Sequence, residues 1–154
     1  MTHIVLFEPE IPPNTGNIIR LAANSGCQLH LIEPLGFQLE DKRLRRAGLD
    51  YREQKVISLH QHWQEFIDRQ QPERLFAIST KGTEHYHNID YREDDYLVFG
   101  PETRGLPDSI LSSTAIDTVV RIPMQKNNRS INLANAVAIV IYEAWRQQAF
   151  AGGH

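Results

Sequence analysis

Leu97-Val98-Phe99-Gly100-Pro101-Glu102-Thr103-Arg104-Gly105-Leu106-Pro107 runs from an apolar stretch into a charged turn bracketed by two glycines. A short continuous apolar run broken by Gly-Pro predicts a strand buried on both faces. In open α/β sheets, ligands bind beyond the C-terminal ends of such strands. Gly100 there lets an adenine or ribose lie against the backbone. Glu102 is suited to accept hydrogen bonds from ribose hydroxyls or from loop amides. Taken alone, the segment also fits a purely structural turn.

Outward from this strand the chain alternates strand-like and helix-like segments. Residues 3–7 (HIVLF) predict a strand, and the loop EPEIPPN leads into a helix capped by Asn14 or Thr15 and stopped by Gly26. Further strands are predicted over 28–33, 55–58, 74–79 and 118–122. The intervening helices are a basic one over 41–47, one opened by Ser58 or His60 and carrying Trp63, Phe66 and Ile67, a short one over 107–112, and a long one over 131–148. Residues 81–95 read as loop, and the tail AGGH as frayed. Such alternation predicts a mostly parallel sheet with helices on both faces. The last helix is apolar nearly all round, which calls for burial on more than one side, by the sheet and by a second subunit or within a central core.

Composition narrows the function classes. With 154 residues, 41% hydrophobic and 23% charged, the chain is expected to form a single globular domain, 1–154. One cysteine, Cys27, excludes an intrachain disulfide framework and any multi-cysteine metal site; it reads as a small buried apolar residue. The pairs His60/His62 and His85/His87 have metal-ligand residue types but lie in polar segments without a clear strand, so no metal is expected. No apolar run approaches the roughly 20 residues that span a bilayer, and the start of the chain has no basic leader, so a cytoplasmic protein is expected.

The net charge of −3 does not indicate an overall basic nucleic-acid binder. Local charge is uneven. Lys42, Arg43, Arg45, Arg46, Arg52 and Lys55 face only Asp50 and Glu53 over 42–55, while Arg121, Lys126 and Arg129 form a second group without acids. Either group suits phosphates on one face, or a solvated surface.

Two more segments carry polar chemistry. Asn14-Thr15-Gly16-Asn17-Ile18-Ile19-Arg20 opens a helix after the first strand, where free amides favour an anion and Arg20 is expected to reach the same anion. Ile122-Pro123-Met124 runs through a polar loop into Ser130-Ile131-Asn132-Leu133, where Ser130 or Asn132 caps the last helix. Each segment alone also fits an ordinary capped helix.

The ordered set N-x-G-x-x-x-R, F-G-P-E-x-x-G-L-P and I-P-M-x-x-x-x-x-S-I-N-L-x-x-A resembles the three motifs of the SPOUT family of RNA methyltransferases. The likeness runs from about residue 3 to 148. It implies an α/β sheet with a C-terminal deep trefoil knot, a homodimer, and S-adenosyl-L-methionine as methyl donor. Without an appended RNA-binding domain, the chain is similar to members that methylate the 2′-hydroxyl of the wobble nucleotide of tRNA, a cytidine or modified uridine.

Carried over residue by residue, the resemblance implies cofactor contacts at Ile78, Thr80, Gly100, Glu102, Ile122, Met124, Ser130 and Leu133. Arg20 is the implied catalytic arginine. Guanidinium stays charged, so holding a phosphate and stabilising a developing alkoxide suits it better than acting as a base. Ser130 and Tyr142 are candidates to orient the ribose. Asn14, Arg20, Lys42, Arg43, Arg45, Arg46, Arg121, Lys126 and Arg129 are the candidates for substrate binding. The competing readings are a family member acting on ribosomal RNA or another tRNA position, and a non-catalytic RNA-binding α/β module.

Overall fold

The computed structural model describes residues 1–40 and 55–154. Among these, seven strands form one sheet: β1 (His3–Phe7), β2 (Gln28–Ile32), β3 (Ile57–His60), β4 (Leu75–Ile78), β5 (Glu84–His85), β6 (Tyr96–Phe99) and β7 (Thr118–Arg121). The spatial order is β3-β2-β1-β6-β4-β7-β5, and every pairing is parallel. The helices are α1 (Pro12–Ser25), α2 (Trp63–Gln70), α3 (Asp108–Leu111) and α4 (Leu133–Gln147), with a 3-10 turn at Tyr86–Asn88.

Alternate strand residues feed two cores, as a period of two requires. Ile4, Leu6, Leu29, Leu31, Leu97 and Phe99 pack on one face against Ile18, Ile19 and Ala22 of α1 and Val137, Val140 and Ile141 of α4. Val5, Ile32, Leu75, Ala77 and Val98 pack on the other against Phe66 of α2 and Ile110 of α3. β4 and β6 are buried at every position, which explains why LFAI and YLVF do not alternate. Cys27 is buried in the first core.

Several boundaries differ from the sequence expectation. α1 starts at Pro12, with Ile11 as its N-cap and no side-chain cap, so Asn14 and Thr15 are buried inside the helix. Proline is favoured at the first helical position because its φ is preset and it has no amide to satisfy. His60 ends β3 instead of opening α2. The cap is His62, whose Nδ1 accepts from the Glu65 amide at 3.1 Å. Residues 81–95 contain β5, a two-residue edge strand held by β7. α4 is buried on one side through Val137, Val140, Ile141 and Ala144, whereas Tyr142 is 44% exposed. The tail is not frayed: the Trp145 indole donates to the Ala151 carbonyl at 3.1 Å, and the Gly153 amide to the Phe150 carbonyl at 2.8 Å. The predicted basic helix over 41–47 lies outside the described residues.

Three histidines stitch β1, β2 and β3 together. His3 Nδ1 lies 3.0 Å from His30 Nε2, and His30 Nδ1 lies 3.0 Å from His60 Nε2. At the far end Arg69 Nη1 is 3.5 Å from His60 Nδ1, and a guanidinium can only donate. That fixes the direction: His60 Nε2–H donates to His30, His30 Nε2–H to His3, and His3 Nε2–H points toward Asp94 Oδ1 at 3.9 Å. Burial, first of all, holds all three imidazoles below their ordinary pKa, His30 down to about 3.

Candidate active site

β4, β6 and β7 end side by side, and each is followed by a loop at its C-terminal edge. These loops and the start of α4 enclose a cleft of about 450 Å³. The eight residues expected to contact a cofactor, Ile78, Thr80, Gly100, Glu102, Ile122, Met124, Ser130 and Leu133, all line it. Their separation along the chain is erased because β6 is inserted between β1 and β4, with β7 beside β4.

Gly100 has a steric reason. A Cβ there would sit 2.3 Å from the Leu106 nitrogen and 2.5 Å from the Gly105 carbonyl carbon. The loop doubles back on itself, helped by Gly105 at φ +68°, a conformation that favours glycine. Only a residue without a side chain permits that closure.

The three sequence segments meet through side chains. Asn132 Nδ2 donates to Asn14 Oδ1 at 3.0 Å, while Asn132 Oδ1 accepts from the Asn135 amide and so caps α4. Asn14 Nδ2 lies 3.5 Å from Glu102 Oε2. Glu102 also accepts from the backbone amides of Glu10, at 3.0 Å, and Ile11. Of its two predicted roles, it takes the loop-amide one here while still lining the cleft.

Glu102 thereby takes the amides of the two residues before α1, while Pro12 and Pro13 leave its first two positions without an N–H, which corrects the anion-site reading: the helix start offers a phosphate few free amides. Gly16 is buried within the helix. Arg20 lies eight residues beyond Pro12, about 12 Å along the axis at ~1.5 Å per residue. It is exposed and outside the cleft lining, so it does not share an anion with the helix start.

The other candidates are placed as follows. Ser130 is exposed at the cleft rim, and Asn14 is buried at its floor. Tyr142 lies outside the lining and packs edge-on against Trp145, with ring centroids 5.6 Å apart. Arg121 ends β7 half-buried, its Nε buried and without a hydrogen-bond partner among the described residues. Lys126 and Arg129 are exposed on the loop that follows. Lys42, Arg43, Arg45 and Arg46 lie outside the described residues.

Residues given no site role from sequence also line the cleft, among them Ile11, Thr103, Arg104, Leu106 and Ala136, and so does Asn132, expected only as a cap. The signal for Thr103 and Arg104 was their place inside the glycine-bracketed turn. Ile11 and Ala136 carried none, because apolar side chains look alike whether they wall a cleft or fill a core. Among the described residues no group of three His, Cys, Asp or Glu could hold a metal ion, and no helix is long and apolar enough to cross a membrane.

The apolar walls suit a flat heterocycle, and the glycine turns expose backbone groups to its edge. Comparison with known proteins agrees. The SpoU rRNA methylase family matches residues 1–142. A tRNA (cytidine(34)-2'-O)-methyltransferase of Saccharophagus degradans is 64% identical over 152 residues, covering 99% of each chain. A structure solved for insights into the 2-OH methylation of C/U34 on tRNA is 45% identical, with a TM-score of 0.90 over 97% of both chains. The SpoU methyltransferase AviRb of Streptomyces viridochromogenes, in complex with the cofactor AdoMet, is 26% identical, with a TM-score of 0.83 over 97% of this chain and 61% of that one. A likeness carried through both the sequence and this parallel sheet is one of descent: the chain belongs to the SpoU methylase family.

Proposed function

We propose that this chain, a single domain over 1–154, transfers a methyl group from S-adenosylmethionine to the 2′-hydroxyl of the wobble nucleotide in the tRNA anticodon loop, a cytidine or modified uridine, in the cytoplasm. The observation that carries the reading is the convergence of the three polar segments on one cleft through Asn132, Asn14 and Glu102. The near-full-length identity to the tRNA enzyme of Saccharophagus degradans selects tRNA over ribosomal RNA.

When bound, the cofactor supplies an electrophilic methyl group on a sulfonium leaving group, so no metal is required. Ile78, Ile122, Met124 and Leu133 would wall its adenosine portion, with Thr80, Gly100, Glu102 and Ser130 around its polar edges. Arg20 would hold the phosphate beside the reacting ribose and stabilise charge on the attacking oxygen. Ser130 and Tyr142 would orient the ribose, and alignment of the two reactants would supply much of the rate. Arg121, Lys126 and Arg129, with Lys42, Arg43, Arg45 and Arg46, would grip the RNA backbone.

Two finer features belong to this reading. The segment after β6 is threaded into a deep trefoil knot, supported by the insertion of β6 between β1 and β4. The protein is a homodimer through the uncovered side of α4, where Ala138 and Ile139 are half-buried and Tyr142 is exposed. A second protomer seated there supplies the covering that the apolar helix lacks.

The test mixes purified protein, labelled S-adenosylmethionine and unmodified bulk tRNA, followed by digestion and mass spectrometry of nucleosides and fragments. Ribose-methylated cytidine or uridine at the wobble position is expected. Methylation confined to added ribosomal RNA, or the absence of any cofactor binding, overturns the reading.

A further inference from the structure

Beside the cleft, the loop before α1 and the loop after β6 are joined by a reciprocal clasp. From one side, Glu102 accepts the amides of Glu10 and Ile11. From the other, the Glu10 carboxylate accepts from the Thr103 amide at 2.9 Å and from the Thr103 hydroxyl at 2.8 Å. Arg104 adds ion pairs to Glu10 at 3.6 Å and Glu8 at 3.9 Å. Glu8 itself sits at φ +48°, a conformation a non-glycine residue keeps only where its surroundings impose it. Residues 8–11 lead directly into α1, which carries Arg20. Residues 102–104 line the cleft.

We propose that Glu10 is a positioning residue for methyl transfer, holding the Thr103–Arg104 tip of the cofactor loop onto the entry of α1 so that the cofactor wall and the arginine helix keep one register. The inference rests on the proposed methyltransferase reading. Glu10 touches no reacting atom; it acts through Thr103 and Arg104. Its geometry is that of an ionised acceptor: the two Thr103 donors, and Arg104 after them, hold its carboxyl below the ordinary range. At neutral pH the clasp is therefore permanently charged, and charge-assisted hydrogen bonds are the strong ones.

The test compares wild type, Glu10→Gln and Glu10→Ala in three readouts: thermal unfolding, equilibrium binding of S-adenosylmethionine without RNA, and steady-state kinetics on tRNA. Glu10→Ala is expected to stay folded, to weaken cofactor binding about tenfold, and to lower kcat as well. Glu10→Gln keeps the hydrogen-bond acceptor but loses the charge, and should fall between. Thr103→Val in the Glu10→Ala background should add little, because both remove the same contact. Unchanged cofactor affinity and kcat in both variants overturn the proposal, as does full additivity with Thr103→Val. So does a melting temperature that falls while affinity measured well below it is untouched. If wild type itself fails to bind the cofactor, the methyltransferase reading fails and the proposal with it; wild-type binding with indifferent variants removes the proposal alone.

Discussion

The proposed roles of Gly100 and Arg20 fall in different steps, and their substitutions separate them. Gly100→Ala places a methyl group against backbone atoms of residues 105 and 106, which cannot move aside as a flexible side chain would. The loop must open, at a cost of about 1–3 kcal/mol, spent on the wall of the cleft. Cofactor affinity should fall roughly 10-fold or more, as titration would show. Arg20→Ala, remote from the cleft lining, should abolish transfer and leave that affinity within about twofold, the signature of an interaction made only as the reaction proceeds. Loss of cofactor binding in Arg20→Ala would sink the role given to it. Residue chemistry at Gly100 was legible in sequence, since two glycines bracketing charges demand a tight turn. The partner of Glu102 was not, because it lies 91 and 92 residues away on the loop before α1.

At the scale of elements, the histidine row makes the β1–β2–β3 edge sensitive to acid. Folded, the three imidazoles resist protonation, whereas in the unfolded chain each takes a proton near pH 6.5. The unfolded state therefore binds more protons below that value, and stability falls as pH drops from about 6.5 toward the folded pKa of His30, about 3. Each imidazole that stays neutral contributes a loss of about 1.4 kcal/mol per pH unit in that window. The urea midpoint should therefore decrease from pH 7.5 to pH 5, with a shallower dependence in His30→Gln. A midpoint that rises on acidification would contradict the burial of three neutral imidazoles in this row. Sequence reading weighed His60 with His62 as a metal pair. The structure places His60 in this row and His62 at the start of α2, because β3 and α2 are separate elements. Periodicity found the elements but misplaced their ends: α1 is anchored by prolines and an external carboxylate, not by its own polar side chains.

For the molecule as a whole, the acidic balance of −3 and the local basic groups pull in opposite directions. Binding through Lys/Arg–phosphate contacts releases counterions, so affinity for tRNA should fall about a hundredfold between roughly 50 and 200 mM salt if on the order of five phosphates are held. Charge reversal at Lys126 and Arg129 should flatten that slope, measured by filter binding. An unchanged slope in that variant would remove this loop from the RNA interface.

The sequence by itself determined the α/β class, the buried strands LFAI and YLVF, the tight turn at Gly100 and the family likeness, because these depend on local pattern and on residues close along the chain. Tertiary structure alone decided the insertion of β6 between β1 and β4, which brings Ile78, Gly100 and Ile122 to one edge. It alone joined Asn132 to Asn14 across 118 positions, set Glu102 on the entry of α1, and aligned three histidines across three strands. Those are contacts between residues far apart in sequence, fixed by strand order and packing, and no local periodicity encodes strand order.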